Sequence, residues 1–68
     1  IIPKEPFIDI SDFLQNADNL YKSKFWESVD EIINNLGFRV KGFQIKTHKG
    51  KEGGQEVFHF HLHLLSNY

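Results

Sequence analysis

A chain of 68 residues allows one small domain, and chains of this size bury only about 60% of their unfolded surface, so a partner or a larger context is expected. Its apolar fraction of 40%, with seven phenylalanines, excludes a disordered segment, and the lack of cysteine excludes disulfides and thiolate zinc sites. The formal charge of −1, with no membrane-length apolar run and no signal-peptide pattern, points away from nucleic acid and membrane partners and suits a cytoplasmic protein.

The chain contains no methionine, and Ile1-Ile2-Pro3 reads like a strand entered midway. Ile1 and Ile2 predict a short strand that ends at Pro3, which has no N–H to donate. Lys4-Glu5-Pro6 reads as a turn. Asp9 to Leu14 predicts one helical turn with Ser11 as its N-cap. Ala17, Leu20, Tyr21, Phe25, Val29, Ile32, Ile33 and Leu36 then recur at steps of three and four, which draws one apolar stripe along a helix over 17–36. Asn16 can cap its start and Gly37 its end. Trp26 lies off this stripe, and Asp30 and Glu31 read as solvated charges.

A connection is predicted over Phe38 to Gly42, followed by a strand from Phe43 to His48 with Phe43, Ile45 and Thr47 on one face. Lys49 to Gly54 is glycine-rich and charged and predicts the turn of an antiparallel hairpin, which brings His48 near the start of the next strand. Arg39, Lys41, Lys46, Lys49 and Lys51 form a basic cluster that reads as a solvated face and could also steer anions.

The next stretch carries the chemistry. Gly53-Gly54-Gln55-Glu56-Val57-Phe58-His59-Phe60-His61-Leu62-His63-Leu64-Leu65 alternates imidazoles with bulky apolar residues. In an extended strand successive side chains point to opposite faces, so His59, His61 and His63 share one face with Val57 and Leu65, at a repeat of roughly 7 Å. Phe58, Phe60, Leu62 and Leu64 share the other. Imidazole is a base, a nucleophile and a metal ligand that titrates near neutral pH, and adjacent rings oppose each other's protonation. A neutral nucleophile beside a cationic acid suits displacement at phosphorus. The glycine turn upstream can aim main-chain N–H groups at an anion.

Gly53-Gly54-Gln55-Glu56-Val57-Phe58 followed by His-x-His-x-His-Leu-Leu resembles the signature of the histidine triad (HIT) family of nucleotide-binding phosphoramidases and nucleotidyl hydrolases and transferases. The Ile1-Ile2-Pro3-Lys4 opening, the middle helix and the Phe43–His48 strand stand around it in the family's order. The resemblance runs over all 68 residues and covers the later part of the family's module. It implies a single partial domain over 1–68, α+β and HIT-like, with a central amphipathic helix packed on an antiparallel sheet and truncated at its N-terminus.

By the same resemblance, His61 attacks the α-phosphorus of a purine nucleotide conjugate and forms a nucleotidyl-histidine intermediate, His63 contacts the phosphate and manages the leaving-group proton, and His59 orients His61. Gln55 bonds the phosphate or the bridging atom, and main-chain N–H groups from Gly54 to Val57, through Glu56, hold the developing charge. His48 stands where the family usually has asparagine, Glu56 where many members have serine or threonine, and Pro6 where a histidine often follows the Pro-Lys pair. Ser66-Asn67 replaces a usual glycine pair. The resemblance further implies a homodimer and requires no metal or cofactor. Two other readings stand beside it: a remnant or dimerising interaction module without turnover, and a metal-binding His-x-His-x-His strand completed by His48 or Glu56.

Overall fold

The computed structural model describes residues 1–66; Asn67, half of the Ser66-Asn67 pair, lies outside the described residues. In chain order the elements are α1 (Ile10–Asn16), α2 (Asn19–Asn35), α3 (Phe38–Lys41), β1 (Gln44–Lys46) and β2 (His63–Leu65). The antiparallel β1–β2 pair, with Gln44 opposite Leu65 and Lys46 opposite His63, forms a two-stranded sheet. The α+β class expected from the sequence is the class observed.

α1 starts at Asp9 and not at Ser11. The Asp9 carboxylate accepts from the Asp12 N–H at 2.8 Å, and Asp12 reaches back to accept from the Ile8 N–H at 2.8 Å. Two carboxylates thereby satisfy two donors at one helix start, which a single serine hydroxyl could not do. These bonds, the Ile8 one first and then the one from Asn16, hold the Asp12 carboxyl below the usual carboxylate range. α2 begins after Asp18, whose side chain accepts from the Tyr21 N–H at 2.8 Å, so the predicted Asn16 cap belongs instead to the end of α1. The helix read from residue 17 is α2, and it starts two residues later because Asp18 caps it while buried Ala17 occupies the corner after α1. Gly37 ends the helical stretch at φ 72°, a left-handed conformation that glycine adopts without steric cost. The Phe38–Gly42 connection contains the single turn α3. Asp30, read as solvated, pairs with Arg39 of that turn.

The core is largely aromatic. Phe13 is fully buried and lies 4.9 Å from Phe60, 5.0 Å from Phe25 and 5.3 Å from Phe7, ring centroid to centroid. Val29 and Ile33 of the α2 stripe and Leu62 complete the buried cluster. Trp26 packs edge-on against Phe25 and stays partly exposed.

The strands are shorter than predicted. β1 covers three of the six residues from Phe43 to His48, and β2 begins only at the last histidine. Residues 57–62 are held by other bonds: Phe60 N–H donates to the Phe7 carbonyl at 2.7 Å, and Leu62 exchanges bonds of 2.7 and 2.8 Å with Ile1. The Ile1 segment therefore lies alongside the histidine stretch. Phe60 and Leu62 are buried as the alternation requires, but Phe58 is 63% exposed. Its departure follows from the missing ladder, since nothing enforces the alternation of a strand before Phe60.

Phe13→Ala removes the ring that touches α2, the N-terminal segment and the histidine stretch together. The expected loss is about 3–5 kcal/mol, a large share of the roughly 5–15 kcal/mol of a typical domain. Urea denaturation followed by circular dichroism should show the midpoint collapsing toward zero denaturant.

Candidate active site

Burial of Phe60 and Leu62 turns the intervening and following histidines away from the core. His61 is half-buried, and its Nδ1 lies 2.8 Å from the main-chain oxygen of His59. A carbonyl oxygen only accepts, so His61 Nδ1 carries the proton and Nε2 keeps its lone pair. The His61 carbonyl is fixed in turn by the Thr47 hydroxyl at 2.7 Å, which ties the middle histidine to the end of the β1 segment. His59 thus orients His61 through its main chain. The His59 ring is turned in, and its Nε2 is buried with no hydrogen-bond partner among the described residues.

The His61 and His63 rings meet edge to face with centroids 4.9 Å apart, closer than the strand repeat because the stretch is not a regular strand before His63. The His48 ring also lies against His63, with centroids 6.3 Å apart. The hairpin was expected to place His48 near the start of the histidine stretch. The paired register ends with Lys46 opposite His63, and the His48 ring, two residues further on, lies diagonally against His63. Its Nδ1 donates to the Gly53 carbonyl at 2.7 Å, which again leaves Nε2 as the ring's acceptor. Three imidazoles, His61, His63 and His48, therefore form one row.

Partial desolvation and then the charges of His61 and His48 hold the His63 imidazole below its ordinary range, with Lys46 acting in the same direction. This is the expected behaviour of crowded bases, which resist accumulating positive charge. Among the described residues, no group of three histidine, aspartate or glutamate side chains stands where it could hold a metal ion.

The glycine turn is built tightly. A Cβ on Gly53 would collide with the Lys49 carbonyl oxygen, so no other residue fits there without moving the turn. Gly54 N–H donates to Lys51 O at 3.1 Å and Gln55 N–H to Gly50 O at 2.9 Å. Of the run from Gly54 to Val57, only Glu56 and Val57 can still offer a main-chain donor to an anion. Both residues are exposed. The Gln55 side chain is buried, and its amide donates to the Ile8 and Val57 carbonyls while accepting from Gly50 N–H. Sequence reading missed Thr47 as a support for His61 and Asp9 as the partner of Lys49, 3.6 Å away, because both contacts join distant parts of the chain.

With that geometry in place, comparison with known proteins defines the class. The HIT domain profile matches residues 1–68. An uncharacterised HIT-like protein of Rickettsia prowazekii is 35% identical over 65 residues, which cover 96% of this chain and 54% of that protein. One of Helicobacter pylori is 36% identical over 66 residues, 97% of this chain and 60% of the relative. A solved structure described as a Hit-like protein superposes with a TM-score of 0.80 at 31% identity and covers 98% of this chain and 62% of its own. The chain belongs to the HIT family, and it spans little more than half the length of these curated relatives.

The crowded row predicts its own titration. In a proton NMR pH series His63 should show a midpoint below the ordinary 6.5, and His48→Asn should raise it by removing one positive neighbour. A neutral-preferring His63 binds its proton less tightly folded than unfolded. Stability from this group is complete above 6.5 and falls as pH drops from there through the folded midpoint.

Proposed function

We propose that this chain carries the reacting half of a HIT-type nucleotide hydrolase or nucleotidyltransferase, acting at the α-phosphate of a purine nucleotide conjugate. The observation that carries this reading is the bond from His61 Nδ1 to the His59 carbonyl, which presents Nε2 as a free lone pair beside two further imidazoles. In the proposed first step Nε2 of His61 gives its electron pair to phosphorus while the bond to the leaving group breaks. The leaving group departs with that bonding pair and takes a proton from the imidazolium form of His63, which leaves that ring neutral. The nucleotidyl-imidazolium keeps its Nδ1 proton on the His59 carbonyl, which offsets the charge gained at the ring. Water then attacks phosphorus, deprotonated by His63, and His61 regains its lone pair as the nucleotide is released.

Within this reading His48 supports the phosphate or the ribose from the end of the row, and the N–H groups of Glu56 and Val57 face the developing charge. Lys46, whose charge is felt at His63, favours an anionic substrate. No cofactor enters the scheme. A cytoplasmic homodimer is the proposed setting; for location, the supporting observation is that no helix among the described residues is long and apolar enough to cross a membrane.

Incubation with adenosine 5′-phosphoramidate should release AMP, followed by phosphorus NMR, and His61→Ala should lower the rate on the order of 1000-fold or more, as removal of a covalent nucleophile does. Equal rates for the two proteins would overturn the assignment of His61. A folded wild-type chain with no turnover would move the function to the dimerising, non-catalytic module.

A further inference from the structure

We propose that Gln55 is a positioning residue that clamps the glycine turn to the start of the histidine stretch, and that it does not bind the substrate phosphate. Gln55 is only 5% exposed. Its Nε2 donates to the Ile8 carbonyl at 2.7 Å and to the Val57 carbonyl at 3.1 Å, and its Oε1 accepts from the Gly50 N–H at 2.8 Å. A primary amide has two N–H donors, and both are committed. A phosphate oxygen that needs a donor could be served only by breaking one of these bonds, which would strand a carbonyl in a largely buried place.

The three partners come from three parts of the chain. Ile8 immediately precedes the Asp9 cap of α1, Gly50 lies inside the glycine turn, and Val57 stands two residues before the first histidine. One side chain therefore sets the turn against both the N-terminal segment and the reacting stretch. The Asp9–Lys49 ion pair closes the same junction from the other side, and the Gly53 backbone packs directly on Lys49 O. With the turn fixed, the Gly53 carbonyl is held where His48 Nδ1 donates to it. Gln55 thereby determines the His48 tautomer without touching the ring. The inference takes the proposed phosphoryl chemistry at His61 as its setting, but its observables do not depend on turnover.

The test uses the 15N-labelled chain. In the wild type the Gln55 side-chain amide protons should exchange slowly with solvent and should not shift on titration with AMP, at concentrations where the His61 and His63 rings do shift. In Gln55→Met the Gly50 amide should exchange roughly tenfold faster or more, as expected when a hydrogen-bond acceptor is lost. The His48 ring nitrogens should leave the single Nδ1–H tautomer. Gln55→Glu keeps an acceptor for Gly50 and should preserve that amide's protection.

A Gln55 amide that moves with AMP, or exchanges rapidly in the wild type, would overturn the clamp even if Gln55→Met does not fold. So would a folded Gln55→Met with unchanged Gly50 exchange and His48 tautomer. If AMP shifts no histidine, the proposed nucleotide chemistry fails, while Gly50 exchange and the His48 tautomer still decide the role of Gln55.

Discussion

The burial of Phe60 and Leu62 is the constraint on which the rest of the molecule depends. Phe60 packs between Phe13 of α1 and Phe25 of α2, at 4.9 and 5.6 Å, and both it and Leu62 are almost wholly removed from solvent. Side chains alternate along an extended chain, so seating these two apolar residues directs His61 and His63 away from the core, while the His59 ring stays turned in. The same aromatic contacts that stabilise a 68-residue chain thereby orient its chemistry. A protein of this size has little core to spare, and here one core serves both purposes.

The histidine stretch is fixed by specific bonds where a sheet ladder would otherwise hold it. Phe7 O, Ile1 and Thr47 each secure one of its residues, and the His59 carbonyl sets the His61 ring. A single carbonyl acceptor is enough to decide which imidazole nitrogen carries the proton, because it can accept and never donate. The tautomer of His61 is thus a main-chain property. It needs His59 in place but makes no use of the His59 ring.

Electrostatics refine the site more than they build it. Of the basic cluster read in the sequence, Arg39 is paired with Asp30 and Lys49 with Asp9, so two of its charges stabilise turns and helix ends. The positive potential that reaches the histidines comes from close range: His61, His48 and Lys46 all act on His63. Crowding of this kind keeps neutral imidazole available near physiological pH, as proton transfer and nucleophilic attack both require.

The sequence by itself determined the α+β class, the buried middle of the α2 stripe at Phe25, Val29 and Ile33, though not its exposed ends Leu20 and Leu36, the glycine end of that helix and the histidine motif with its family. Each is written in local spacing: apolar steps of three and four, Gly37 after the last periodic residue, and imidazoles at every second position after a glycine turn. Tertiary structure decided which residues cap the helices, how far the strands run and which rings meet. Asp9 displaced Ser11 because it bonds Asp12 and pairs with Lys49, forty positions away. His48 meets His63 on the diagonal because the paired register ends with Lys46 opposite His63, and periodicity does not fix that register. Gln55 turned inward because Ile8, Gly50 and Val57 converge on it, and the Ile8 carbonyl, 47 positions away, is a partner that no sequence spacing records.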